Sequence, residues 1–146
     1  MRKHLFLTCA LVLGLMTSAF SAEKYTYTYT DENGELKRIY LELNTTTKEA
    51  TVVSGEWEYT GIIVIPDEVE YPEGSGTKYQ ITTIGKGGDA TQANSAFYYC
   101  YDLDEVVFGA NVTTIKKNAF YRCGTDSRPV KVHLESDGLT TIETNA

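Results

Sequence analysis

Ile115-Lys116-Lys117-Asn118-Ala119-Phe120-Tyr121-Arg122-Cys123 restates, 23 positions on, the stretch Asn94-Ser95-Ala96-Phe97-Tyr98-Tyr99-Cys100. Phe97 aligns with Phe120, and Cys100 with Cys123. Self-similarity at a period of this size marks a chain built from short units, each burying its apolar side only against its neighbours. A third copy opens at Thr140-Thr141-Ile142 and reaches Asn145-Ala146, one residue short of the corresponding Phe.

Reading outward from the repeat, each unit carries a short alternating strand: Ile62-Ile63-Val64-Ile65, Glu105-Val106-Val107-Phe108 and Val130-Lys131-Val132-His133-Leu134. Side chains alternate across a strand. Ile63, Ile65, Val106, Phe108, Val132 and Leu134 are therefore expected to face inward. Ile62, Val64, Glu105, Val107, Lys131 and His133 are expected to face outward. Phe120 is expected to be buried, with Phe120→Ala costing ~3–5 kcal/mol. Between Gln80-Ile81-Thr82-Thr83-Ile84 and the first Ala-Phe pair, Lys86 to Ala93 inserts about eight residues relative to the later unit. Such a loop is a place for local variation.

Upstream of the repeats, Tyr25, Tyr27 and Tyr29 alternate with Thr, Asn33-Gly34 supplies a tight turn, and Arg38 to Leu43 alternates again. Asn-Gly between two alternating runs is a strong hairpin signal. Ala50-Thr51-Val52-Val53 adds a third strand. Residues 23–60 thus read as an N-terminal β-cap, and residues 61–146 as the repeat region, its last unit incomplete.

Residues 1–22 have the order of a secretory signal peptide: basic Arg2, Lys3 and His4, an uncharged apolar run from Leu5 to Met16, then small Ala19, Ser21 and Ala22. The run is shorter than the ~20 residues a membrane span needs. Export to the periplasm, cell surface or extracellular space is the expectation. Without the leader, 11 basic residues stand against 20 acidic ones, a net charge of −9. A surface of that sign repels nucleic acid and anionic lipid. All 11 tyrosines lie beyond the leader, and with many Thr and Val they favour strands over helices. Cys100 and Cys123 also survive processing; export permits a disulfide. Parallel, inward-pointing Cβ vectors in adjacent turns favour two buried free thiols instead.

The strings Thr-Thr-Ile at 113–115 and 140–142, Ala-Phe-x-x-Cys at 96–100 and 119–123, and the short strand ending Val-x-Phe or Val-x-Leu together resemble the BspA-like leucine-rich repeats of bacterial surface proteins. The resemblance spans Gly61 to Ala146 well and Lys24 to Thr60 loosely. It implies a β-rich leucine-rich-repeat solenoid, with short parallel strands and short helical or irregular turns, behind an N-terminal β-hairpin cap. For function it implies a non-catalytic adhesion or protein-binding module, with no shared catalytic residues. The low number of repeats, and an open end near Ile115, Phe120, Val132 and Ile142, imply self-association through that end, low stability, or a shortened member of the family.

No catalytic, cofactor-binding or metal-binding constellation emerges. His133 lacks a Cys or carboxylate partner at ligand spacing. The acidic clusters Asp102, Asp104, Glu105 and Asp67, Glu68, Glu70, Glu73 lack the spacing of a calcium loop and read as solvated segments. Gly85, Gly87 and Gly88 lack the Lys-Ser/Thr ending of a phosphate cradle. Binding surfaces are better marked. Stacking equivalent strands puts Ile62, Glu105 and Lys131 in one outward row, and Val64, Val107 and His133 in the next. Tyr98, Tyr99, Tyr101 and Tyr121 gather at the turns, where amphipathic aromatics suit an interface. The expected partner is a protein. The alternative is a glycan, stacked on Trp57, Tyr59 and the Tyr98–Tyr101 cluster.

Overall fold

A computed structural model describes residues 22–135 and 137–146. The proposed leader lies outside the described residues, except for Ala22. Ten strands follow in chain order: β1 (Ala22–Thr30), β2 (Leu36–Asn44), β3 (Glu49–Val53), β4 (Gly61–Ile65), β5 (Glu68–Glu70), β6 (Lys78–Ile84), β7 (Leu103–Phe108), β8 (Thr114–Ile115), β9 (Lys131–Leu134) and β10 (Thr141–Ile142). They form two open sheets. The larger has seven strands in the order β1-β2-β3-β6-β8-β10, with β5 paired to β6; the smaller runs β4-β7-β9.

The Asn-Gly hairpin forms where the sequence places it. Asp31 Oδ1 accepts the amides of Asn33 and Glu35, each at 2.9 Å, and Gly34 takes a positive φ of 82° to close the turn. β1 and β2 pair antiparallel from Ala22↔Asn44 to Thr30↔Leu36, and β3 extends them. From Gly61 on, β4, β6, β7, β8, β9 and β10 alternate between the sheets and pair parallel with one another, while the short β5 pairs antiparallel with β6.

One core serves both sheets. Ile39, Leu41, Leu43 and Val52 from β2 and β3 belong to the same buried cluster as Ile63, Ile65, Val106, Phe108, Ile81 and Ile84. The two copies of the repeated string stack: the Phe97 and Phe120 rings lie 4.7 Å apart and 21° from parallel. Their backbones join as well, Phe97 N–H donating to the Ala119 carbonyl at 2.8 Å and Tyr99 N–H to that of Tyr121 at 3.0 Å.

This architecture corrects the expected leucine-rich-repeat solenoid with its hairpin cap. The described residues contain no helix, and the larger sheet is mixed. β1–β3 do not stand ahead of a coil as a closing piece. They are the first strands of that sheet, joined to it where β3 pairs parallel with β6. The turns carry no helix because left-handed residues interrupt them: Tyr99 and Arg122 have φ near 57° and 55°, Asn118 and Asn145 near 59° and 57°.

Two packing expectations also change. Val132 and Leu134 are 47 % and 42 % exposed, because β9 is the outer strand of its sheet. Phe120 is only partly buried, whereas its equivalent Phe97 is fully so. Of the residues expected near an open end, Ile115 is buried and Ile142 is 65 % exposed.

Candidate binding face and aromatic cleft

Parallel pairing brings the outward side chains of the smaller sheet into the rows the alternation predicts. Ile62 is in register with Glu105, and Glu105 with Lys131; Val64 is in register with Val107, and Val107 with His133. The register shift between Gly61 and Ile62 takes up the extra residue Asp104 and keeps the rows aligned. Exposure grades with position. Ile62 and Val64 on β4 are 48 % and 42 % exposed, Lys131 and His133 on β9 are exposed, and Glu105 and Val107 on the central strand are half-buried.

The edges of this face are held by side chains. The Val64 amide donates to the Tyr29 hydroxyl at 2.8 Å, which occupies a backbone donor on the free side of β4. Arg128 reaches back to Asp104 at 2.7 Å and to Asp102 at 3.5 Å, tying the loop before β9 to the start of β7. Both ends of these pairs are solvent-accessible, so the contribution to stability is small.

At the repeat turns the four predicted tyrosines do come together. Tyr98 packs on Tyr99 at 4.5 Å and stacks with Tyr121 at 5.8 Å, while Tyr101 meets Tyr99 edge-on at 5.7 Å. Arg122 lies 5.3 Å from the Tyr99 ring centre and 5.6 Å from that of Tyr121, and its guanidinium donates to the Tyr99 hydroxyl at 3.1 Å. Tyr98, Tyr99 and Tyr121 are half-buried in this cluster; Tyr101 is exposed.

Beside the cluster is a cleft of about 350 Å³ bordered by Trp57, Glu56, Glu58, Gln92, Tyr98 and Tyr99. Trp57 is 69 % exposed and has no ring partner among the described residues. Tyr59, expected as a second stacking platform, is buried at 4 % exposure. Its hydroxyl donates to the Val53 carbonyl at 2.9 Å and accepts the Tyr40 amide at 3.0 Å, so its polar end is committed to the fold. Burial pushes that phenol far above its ordinary range.

A second cleft of about 650 Å³ adjoins the first, the two sharing Ser54, Gly55, Glu56 and Gln92. Gln92 donates to the Gly55 carbonyl at 3.1 Å. Gly55 cannot carry a side chain here, since a Cβ would fall 2.0 Å from the Tyr40 ring. Gln92, Glu56 and Glu58 are the polar contributors that sequence reasoning missed. The only signal for Gln92 was its place in the inserted Lys86–Ala93 loop; Glu56 had none.

Cys100 and Cys123 are free thiols, the first buried and the second half-buried. Cys123 donates to the Phe97 carbonyl at 2.7 Å, and the neighbouring Cys100 sulfur together with burial pushes its thiol up. The Cys123 thiol, raised and hydrogen-bonded, is not poised as a nucleophile. Among the described residues, no group of three or more His, Cys, Asp or Glu is placed to hold a metal ion, and no helix is long and apolar enough to cross a membrane. Comparison with protein-family models, with curated proteins and with solved structures gave no match to this chain.

Proposed function

We propose that this chain is an exported, non-catalytic binding module that engages a protein partner through the outer face of β4, β7 and β9. The observation that carries the reading is the pair of aligned rows, in which the apolar Ile62, Val64 and Val107 sit beside Glu105, Lys131 and His133. Apolar contact area flanked by charges of both signs is the composition of a protein-recognition patch. Export rests on the order of residues 1–22, and adhesion at a bacterial surface on the resemblance of the repeated strings to BspA-like proteins. Export does not depend on the repeat architecture corrected above.

Binding of the purified chain to immobilised extracellular matrix proteins and mucin tests the reading. Saturable binding is expected to at least one of them, reduced tenfold or more by the pair Val64→Lys and Val107→Lys. Both positions face outward, so the fold should survive. Absence of saturable binding across the panel, or binding indifferent to this pair, would falsify it.

A further inference from the structure

We propose that the joined clefts around Gln92 form a separate site for a neutral glycan chain, with Trp57 and Tyr98 as its stacking surfaces. The site is independent of the sheet face: none of its lining residues belongs to β4, β7 or β9.

Three observations converge on this ligand class. The first is Trp57, the sole tryptophan of the chain, standing 69 % exposed beside Tyr98 and Tyr99 with no ring of its own to pack on. Leaving so large an apolar side chain in water forgoes the stabilisation that its burial would bring. A flat ligand face would recover part of it, and the axial C–H groups of a pyranose present such a face.

The second is the polar complement. Glu56, Glu58 and Gln92 border the same space, the carboxylates being pure acceptors. Sugar hydroxyls supply the donors those acceptors need. A proline-rich peptide would also stack on aromatic rings, but proline has no N–H, and covering Glu56 and Glu58 with it would strip their water without replacing it. Lys24 and Lys86 line the second cleft, but Lys86 is committed to Glu42 at 2.9 Å. Glu42, Glu56 and Glu58 outnumber the two cations, so the joined lining disfavours an anionic chain, as does the formal net charge of −7. The ligand is therefore neutral.

The third is extent. The two clefts, about 350 and 650 Å³, meet at Ser54, Gly55, Glu56 and Gln92, so the groove continues from Trp57 toward Tyr25 and Tyr40. At the junction the bare backbone of Gly55 packs directly on the Tyr40 ring. The Tyr40 hydroxyl is buried with no hydrogen-bond partner among the described residues, a free polar group beside the second cleft. A chain of several sugar units suits this length better than a monosaccharide.

Trp57 reports on the site directly, since no other tryptophan contributes to emission. Fluorescence titration of the full chain with cellohexaose, maltohexaose, mannohexaose and chitohexaose should give a saturable blue shift with at least one of them. Polygalacturonate and a decaproline peptide serve as the anionic and peptide comparators and should give none. Tyr98→Ala should weaken the response at least tenfold while the variant still unfolds in one cooperative transition. Should that variant fold poorly, Gln92→Ala on the exposed loop serves in its place. Trp57→Ala should abolish retention on a column of the active sugar, whereas the Val64→Lys and Val107→Lys pair should leave it intact. No saturable shift with any neutral hexasaccharide overturns the proposal. So does a response to decaproline or polygalacturonate as strong as that to the sugars.

Discussion

Tyr59 shows how a residue read as a ligand platform becomes a structural bolt. Its ring packs edge-on against Phe97 at 4.9 Å and Tyr40 at 5.9 Å, and its hydroxyl serves one backbone donor and one backbone acceptor. Tyr59→Phe leaves the ring in place but orphans the Tyr40 amide and the Val53 carbonyl. We expect it to cost ~1–3 kcal/mol, the penalty for unsatisfied buried polar groups, read from urea denaturation. An unchanged midpoint would mean that water replaces the hydroxyl without loss. Nothing in the sequence separates Tyr59 from Trp57. Both precede the first repeat strand, and only their packing sends one inside and leaves the other in solvent.

At the level of elements, the stacked turns carry the repeat. Equivalent residues share backbone geometry as well as side-chain type: Tyr99 and Arg122, 23 positions apart, both adopt the left-handed conformation. That coincidence follows from the inter-turn backbone bonds, which require the same local path in each copy. The two phenylalanines nevertheless differ, because Phe97 has a neighbour on both sides, Tyr59 and Phe120, while Phe120 borders solvent at a shallow cleft. Phe97→Ala should therefore cost ~3–5 kcal/mol, and Phe120→Ala distinctly less. Equal losses in thermal or chemical denaturation would show that the two turns are equally enclosed. Alternation matches the burial pattern of β4 and β7, whereas all four residues of β9 are exposed. It overstated the burial of Val132 and Leu134, since alternation says which way a side chain points and not whether anything lies there.

For the molecule as a whole, a single core predicts a single transition. Residues 23–60 and 61–146 read as separate pieces in sequence, yet Ile39 and Leu41 are buried in one cluster with Val106 and Phe108. Calorimetry should show one cooperative endotherm, shifted alike by Ile39→Ala and Phe97→Ala; two resolved transitions would mean that the hairpin folds alone. Stability should also fall at both extremes of pH. The Lys117 amide and the Lys116 ammonium hold the Glu143 carboxyl below its ordinary value of 4.5, and the Glu35 and Asn33 amides do the same for Asp31. Depressed carboxyl values contribute stability above the ordinary range that is lost as pH falls through the folded values. Tyr59 works in the opposite sense. Its raised phenol means the unfolded chain ionises first, so stability is present below pH 10.0 and declines above it. Midpoints measured from pH 3 to 11 should form a plateau with two falling limbs. Glu143→Gln should flatten the acid limb slightly, because the group is exposed, and Tyr59→Phe the alkaline one.

Local chemistry settled a good deal: the Asn33-Gly34 hairpin, the inward and outward faces of β4 and β7, the pairing of Phe97 with Phe120, and the rows joining Ile62 to Lys131 and Val64 to His133. These follow from turn geometry and from a side-chain period of two, both properties of neighbouring residues. What lay beyond reach was long-range. The junction of β3 with β6, the merging of the hairpin into one mixed sheet, and the arrival of Gln92 at the cleft that Trp57 and Tyr98 border depend on segments tens of residues apart. Their contacts are chosen by the collective burial of a shared core, and no window of sequence contains that information.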